Sequence, residues 1–134
     1  MTGTMDEAAL WERVAPQKGA PTLVGQLREL LREALCRKQE YRRLGLNFSG
    51  DEVETLRGLV YYYSGERPKV SWRSLERMGY YPALRRLMEL EIQARGRYYA
   101  LCEELADPER ALLQTLAEDA ETRWRKLLRL AGKT

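Results

Sequence analysis

Five positions of one predicted helix recur 57 residues further on, and no other feature limits the fold as strongly. Leu27, Leu30, Leu31, Ala34 and Tyr41 match Leu84, Leu87, Met88, Glu91 and Tyr98 at that constant offset. Both sets run at three- and four-residue spacing, which places their side chains along one side of an α-helix. The chain therefore contains two long, similar amphipathic helices. Neither can bury its apolar stripe alone, so each must pack against other helices.

Two further helices complete the set. Helix one is predicted from Thr22 to about Gly45. Helix two starts near Ser49 or Asp51 and reaches Tyr63, with Val53, Leu56, Leu59, Val60 and Tyr63 apolar; Ser64, Gly65 and Pro68 end it. Residues 64–82 form a long connection with a short helix expected over Ser71 to Met78, and Pro82 suits the first turn of helix three. Helix three extends to about Ala106. Asp107 is then placed as the N-cap and Pro108 as the first-turn proline of helix four. Its inward positions are Leu113, Leu116, Ala117, Ala120, Trp124, Leu127 and Ala131, and Gly132 ends it.

No stretch alternates as a strand would, so the fold class is all-α. Residues 1–21 read as an N-terminal appendage: Thr4 and Glu7 have capping-box spacing before a short helix through Arg13, which Pro16, Gly19 and Pro21 break. Trp11 is expected to pack on the main body, a single domain over residues 22–132. Short loops join helices one to two and three to four, and a long connection joins two to three. That is the topology of a bundle with one crossover.

Composition narrows the function by exclusion. The 134 residues contain no histidine, which removes imidazole metal ligands and every Ser/His or Cys/His nucleophile pair. No GxGxxG or GxxxxGK[ST] loop occurs, and Cys36 and Cys102 lack CxxC spacing and read as small buried packing residues. Apolar residues are spaced rather than run together, and no basic segment followed by an apolar run opens the sequence, so no membrane span and a cytoplasmic location are expected. Arg28, Arg32, Arg42, Arg43, Arg85 and Arg86 are interleaved with Glu29, Glu33, Glu40 and Glu89. This pattern describes solvated helix faces, and no nucleic-acid partner is expected.

Leu116 to Leu130, LAEDAETRWRKLLRL, carries a resemblance to a known family. The stretch is similar to the fourth helix of rubrerythrins and other ferritin-like proteins, where a pattern close to AEDEETHW supplies a ligating Glu and, three residues later, a ligating His. Ala120 and Arg123 stand at those two places. The resemblance implies a ferritin-like antiparallel four-helix bundle with a long crossover between helices two and three. It also implies a di-iron site built from one Glu on each of two helices and a Glu-x-x-His motif on each of the other two. Measured against that pattern, Ala34 holds the Glu place of helix one, with Glu33 one step, about 100 degrees, away. Glu91 keeps the Glu place of helix three, in the spacing E-x-x-A-x-x-x-Y. In helix two, Glu52 takes either the Glu place, with Thr55 in the His place, or the His place, with Ser49 in the Glu place.

Ala120 has no lone pair to offer and Arg123 only donors, so most ligands of the implied site are lost. Two buried carboxylates without a counter-charge are costly. Arg123, with Lys38 on the inward stripe of helix one, is therefore expected to pair with Glu52 and Glu91 in an interior ion-pair network that replaces metal. The tyrosines at 61 to 63, 80, 81, 98 and 99 read as core and rim residues, with hydroxyls able to join that network. On this reading the protein is non-catalytic, holds no cofactor, and serves as a structural or partner-binding module, a homodimer or another protein's partner through a helix face. The alternative is a rubrerythrin-like oxidoreductase in which Glu52, Glu91, Glu118 and Glu121 gather iron in an altered carboxylate site for peroxide or oxygen chemistry.

Overall fold

The computed structural model describes residues 22–132, so the expected short helix through Arg13 and the position of Trp11 lie outside the described residues. Four helices make up the described chain, with no strand among those residues: α1 (Leu23–Arg43), α2 (Glu52–Ser64), α3 (Tyr80–Cys102) and α4 (Glu109–Ala131). Thr22 caps α1, its hydroxyl accepting from the Gly25 N–H at 2.9 Å, and Arg42 and Arg43 offset the negative end of the helix dipole in its last turn. Gly65, at φ 77°, ends α2 in the left-handed conformation that favours glycine.

Each helix packs against two others, α1 with α2 and α3, α4 with α2 and α3. Side-chain pairs give the alignment. Glu33 meets Arg97 and Glu40 meets Arg86 between α1 and α3, while Glu121 meets Arg95 between α3 and α4. Leu27, Leu30, Leu31, Ala34, Leu56, Val60, Ala94, Tyr98, Leu113 and Leu116 belong to the larger apolar cluster, and Tyr41, Leu84, Leu87 and Leu127 to a smaller one. The loop from Leu44 to Asp51 contributes Leu46 and Phe48 to the smaller cluster, where the short α2 does not reach.

Three expectations are corrected. Ser71 to Met78 is not helical. Its carbonyls are bound elsewhere: the Cys36 thiol donates to Arg73 O at 3.0 Å and Arg43 Nη2 to Met78 O at 3.2 Å. The segment must also travel from Ser64 to Tyr80, and extended backbone covers about 3.3 Å per residue against 1.5 Å in a helix. α3 stops at Cys102 rather than Ala106, and α4 begins at Glu109 after Pro108, with no side-chain cap from Asp107. Arg110 Nε instead donates to Cys102 O and Leu105 O, satisfying carbonyls at the end of α3. Finally, Trp124 is only half-buried, its ring lying under the Arg125 guanidinium at 5.0 Å.

Candidate functional site

All four helices send one charged side chain to the same point. α1 supplies Arg37, α2 Glu52, α3 Glu91 and α4 Arg123, and none is more than 2% exposed. Arg37 and Arg123 hold these positions because the residue one turn earlier is an alanine in each case. A helical side chain covers the turn N-terminal to its own Cα, so a small residue at Ala34 and at Ala120, both fully buried, leaves room for the arginine stems. The charges fall between the two apolar clusters of the core.

The contacts form a closed ring of alternating sign. Arg37 Nη1 donates to Glu52 Oε1 at 2.8 Å and to Glu91 Oε1 at 2.9 Å, and its Nη2 donates to Glu52 Oε2 at 2.8 Å. Arg123 closes the ring from the other side. Its Nε donates to Glu91 Oε2 at 2.7 Å, and its Nη2 donates to Glu52 Oε1 at 2.8 Å and Glu91 Oε1 at 3.1 Å. Two tyrosines complete the carboxylates: Tyr41 donates to Glu91 Oε2 at 2.8 Å, and Tyr98 donates to Glu52 Oε2. Arg123 Nη1 also donates to the Ser49 carbonyl at 2.8 Å, and its guanidinium lies 4.4 Å from the centre of the Phe48 ring. Each carboxylate thus accepts from two arginines and one tyrosine, and its oxygens have little further accepting capacity.

Protonation follows from this packing. Burial disfavours the Arg37 charge, but Glu52 and Glu91 outweigh it and hold its pKa well above the ordinary value. Burial opposes the Arg123 charge in the same way and is offset by Glu91 and then Glu52. For Glu52, desolvation pushes toward the acid, and Arg37, with help from Arg123 and Tyr98, overrides it and keeps the pKa below the usual carboxylate range. Burial, followed by the adjacent carboxylate, pushes the Tyr98 and Tyr41 hydroxyls well above normal. At neutral pH Arg37 and Arg123 are cations, Glu52 is an anion and both phenols are neutral.

Of the residues singled out from the sequence, Glu52, Glu91 and Arg123 come together and Lys38 does not. Lys38 is half-buried and lies outside the ring. One residue corresponds to about 100 degrees of helix, and that step separates Lys38 from the inward position held by Arg37. Arg37 carried a readable signal: it follows Ala34 by three and precedes Tyr41 by four, and its repeat equivalent is the buried Ala94. The equivalent of Lys38 is Arg95, which pairs with Glu121 on the outside of α4.

The proposed carboxylate quartet is not gathered. Glu118 is exposed, and Glu121 is held by Arg95 and Arg125, away from Glu52 and Glu91. Among the described residues no group of three or more His, Cys, Asp or Glu could hold a metal ion. The residues present do not fit a paired-iron group, because the two inward carboxylates spend their lone pairs on guanidinium and phenol donors. Glu33 faces Arg97 rather than the interior. Cys102 is buried, whereas Cys36 is half-buried against the connection.

A second cluster was not anticipated. Glu40, 3% exposed, accepts from Arg43 Nε at 2.9 Å, from Arg43 Nη2 at 2.8 Å and from Arg86 Nη2 at 2.9 Å. It joins the end of α1 to the start of α3. No described helix is long and apolar enough to cross a membrane. No family model, curated protein or solved structure matches the chain.

Proposed function

We propose that this chain is a non-catalytic ferritin-like protein, an antiparallel four-helix bundle with a long crossover between α2 and α3, in which an ion-pair ring takes the place of a di-iron centre. It works in the cytoplasm as a structural or partner-binding module, with a second copy or another protein docking on its surface. The observation that carries the reading is the ring itself. Arg123 stands where the resemblance expects a His ligand, and together with Arg37 it uses the oxygens of Glu52 and Glu91 that iron would require. The bundle topology is supported by the alignment of Glu33 with Arg97 and Glu40 with Arg86, and by the diagonal placement of α2 and α3.

Such a ring sets helix register more than it adds stability, since desolvation offsets most of the Coulomb attraction. Each helix contributes one member, so a slip of any helix by one turn would strand a charge in an apolar core. The test is to purify the protein without oxygen, add excess ferrous iron, remove unbound metal, and measure iron per chain and the absorption spectrum after exposure to air. Iron near zero is expected. Roughly two irons per chain with an oxo-bridge band would overturn the reading and restore the oxidoreductase.

A further inference from the structure

The end of the bundle where α1 and α4 finish and α3 begins is set apart by its surface. Its interior is the smaller cluster of Tyr41, Leu84, Leu87 and Leu127, with Leu130 and Met88 packed against it. Around that cluster stand Arg42, Arg77, Arg85, Lys126 and Arg129, all exposed and none in an ion pair among the described residues. Glu40, which would otherwise neutralise this end, is already committed to Arg43 and Arg86. The exposed acids there, Asp51, Glu76 and Glu89, leave the cations in excess.

Large apolar side chains sit among these charges. Met78, Tyr80 and Tyr81 are 36%, 40% and 41% exposed, and the Arg43 contact to Met78 O fixes them beside the end of α1. Tyrosine, methionine and arginine are the residue types enriched in protein interfaces, and desolvated Tyr and Arg dominate binding energy there. Resting on the scaffold reading above, we propose that this end is a docking surface for an acidic protein segment that carries apolar side chains between its carboxylates. Planar guanidinium groups recognise carboxylates through paired hydrogen bonds, and Met78, Tyr80 and Tyr81 receive the apolar side chains.

Protein is favoured over nucleic acid by the ring geometry. Tyr80 and Tyr81 meet edge to face, with centroids 5.1 Å apart and planes at 81°. Stacking takes an open aromatic face for each base, and in this pair the edge of one ring covers a face of the other. The T-shaped pair instead makes a compact apolar ridge flanked by cations.

The test uses fluorescence anisotropy of the full chain with three labelled probes: a glutamate-rich peptide with leucine at every third position, a single-stranded oligothymidylate, and an anionic phosphatidylserine vesicle. The peptide should bind the parent protein. The double reversal Arg42→Glu with Arg85→Glu should weaken it about tenfold or more, the scale of a lost pair of close interfacial charges. Tyr80→Ala with Tyr81→Ala should weaken it severalfold while leaving its salt dependence unchanged, and Arg57→Glu on α2 should have no effect. Circular dichroism identifies any variant that fails to fold, and Arg129→Glu then replaces it. The proposal fails if the peptide does not bind, if its binding ignores these substitutions, or if oligothymidylate or the vesicle binds more tightly at the same residues. Iron loading is read separately, so loss of this surface and loss of the scaffold reading are distinguishable.

Discussion

Tyr41 donates its hydroxyl to Glu91 Oε2 at 2.8 Å, four residues after Arg37 donates to Oε1 of the same carboxylate at 2.9 Å. One face of α1 thus grips a single acid of α3 through two successive turns, and on α3 only the phenol contact recurs, from Tyr98 to Glu52, with Ala94 at the place of Arg37. The phenols use acceptor sites that the guanidinium groups leave open. Truncating them should therefore cost more than an average hydrogen bond. Tyr98→Phe and Tyr41→Phe are each expected to lower unfolding free energy by about 1.5 to 3 kcal/mol, the range for bonds to charged groups. Urea denaturation checks this, and a loss under about half a kcal/mol would show that water substitutes for the hydroxyl.

Arg123→Ala should cost about 3 to 5 kcal/mol, because it leaves Glu52 and Glu91, both fully buried, with one guanidinium between them. Replacing all four ring members together with apolar residues of similar volume should be close to neutral or stabilising by about 1 to 4 kcal/mol. The contrast between single and quadruple variants, measured by denaturant midpoint, separates the worth of the ring from the penalty of breaking it. An unchanged midpoint in Arg123→Ala would refute the account of the interior.

Arg37 and Lys38 give a sharper comparison, since they are adjacent in sequence and differ in direction. Arg37→Ala is expected to match Arg123→Ala, whereas Lys38→Ala should fall within about 0.5 kcal/mol of the parent protein, as surface substitutions usually do. Equal losses in both would mean that α1 is rotated from its described position.

These adjacent residues also mark how far the sequence could be read. Helices α1 and α3 were legible because Leu27, Leu30, Leu31 and Ala34 repeat with the helical period, and periodicity reports which side faces the core. Spacing from Ala34 and Tyr41 does not choose between two neighbouring cations about 100 degrees apart; only the repeat does, by setting Arg37 at the place of the buried Ala94 and Lys38 at that of Arg95. Glu52, Glu91 and Arg123 were identifiable as charged residues at core positions. Glu40 was not, because an acid followed by Arg42 and Arg43 reads as a solvated helix end, and its second partner, Arg86, arrives from another helix. The stretch from Ser71 to Met78 has helix-forming residues, but the Cys36 and Arg43 donors that take its carbonyls lie in α1, beyond any local signal.

Gly50 is a test of the loop that seats Arg123. Its φ is 95°, and a Cβ there would stand 2.8 Å from Asp119 Oδ2 and 3.4 Å from Arg123 Nη1. Gly50→Ala should lose roughly 1 to 2 kcal/mol from the left-handed backbone alone, with a further loss from the displaced carboxylate. Adding Asp119→Ala should recover only the second part. Full recovery in the double variant would show that the backbone conformation is not strained.

The ring should also confine stability to a band of pH. The folded pKa of Glu52 lies below its usual 4.5, because Arg37 and Arg123 overcome its burial. A depressed carboxylate contributes stability that is complete above the unfolded value and is lost as pH falls through the folded one. Acid unfolding should therefore begin below about pH 5. Tyr41 and Tyr98 act in the opposite sense. Burial, and then the neighbouring carboxylates, raise their folded pKa above the usual 10, so their contribution is complete below that value and is lost as pH climbs toward the folded one. Between about pH 5 and pH 9 unfolding free energy should be nearly flat, and above that the Cys36 and Cys102 thiols, raised by burial, add their own loss to that of the phenols. The alkaline limb should be shallower in the double variant Tyr41→Phe, Tyr98→Phe, which has fewer phenols to ionise on unfolding. A limb of the same slope in that variant, followed by urea titration at fixed salt, would place the alkaline transition elsewhere in the molecule.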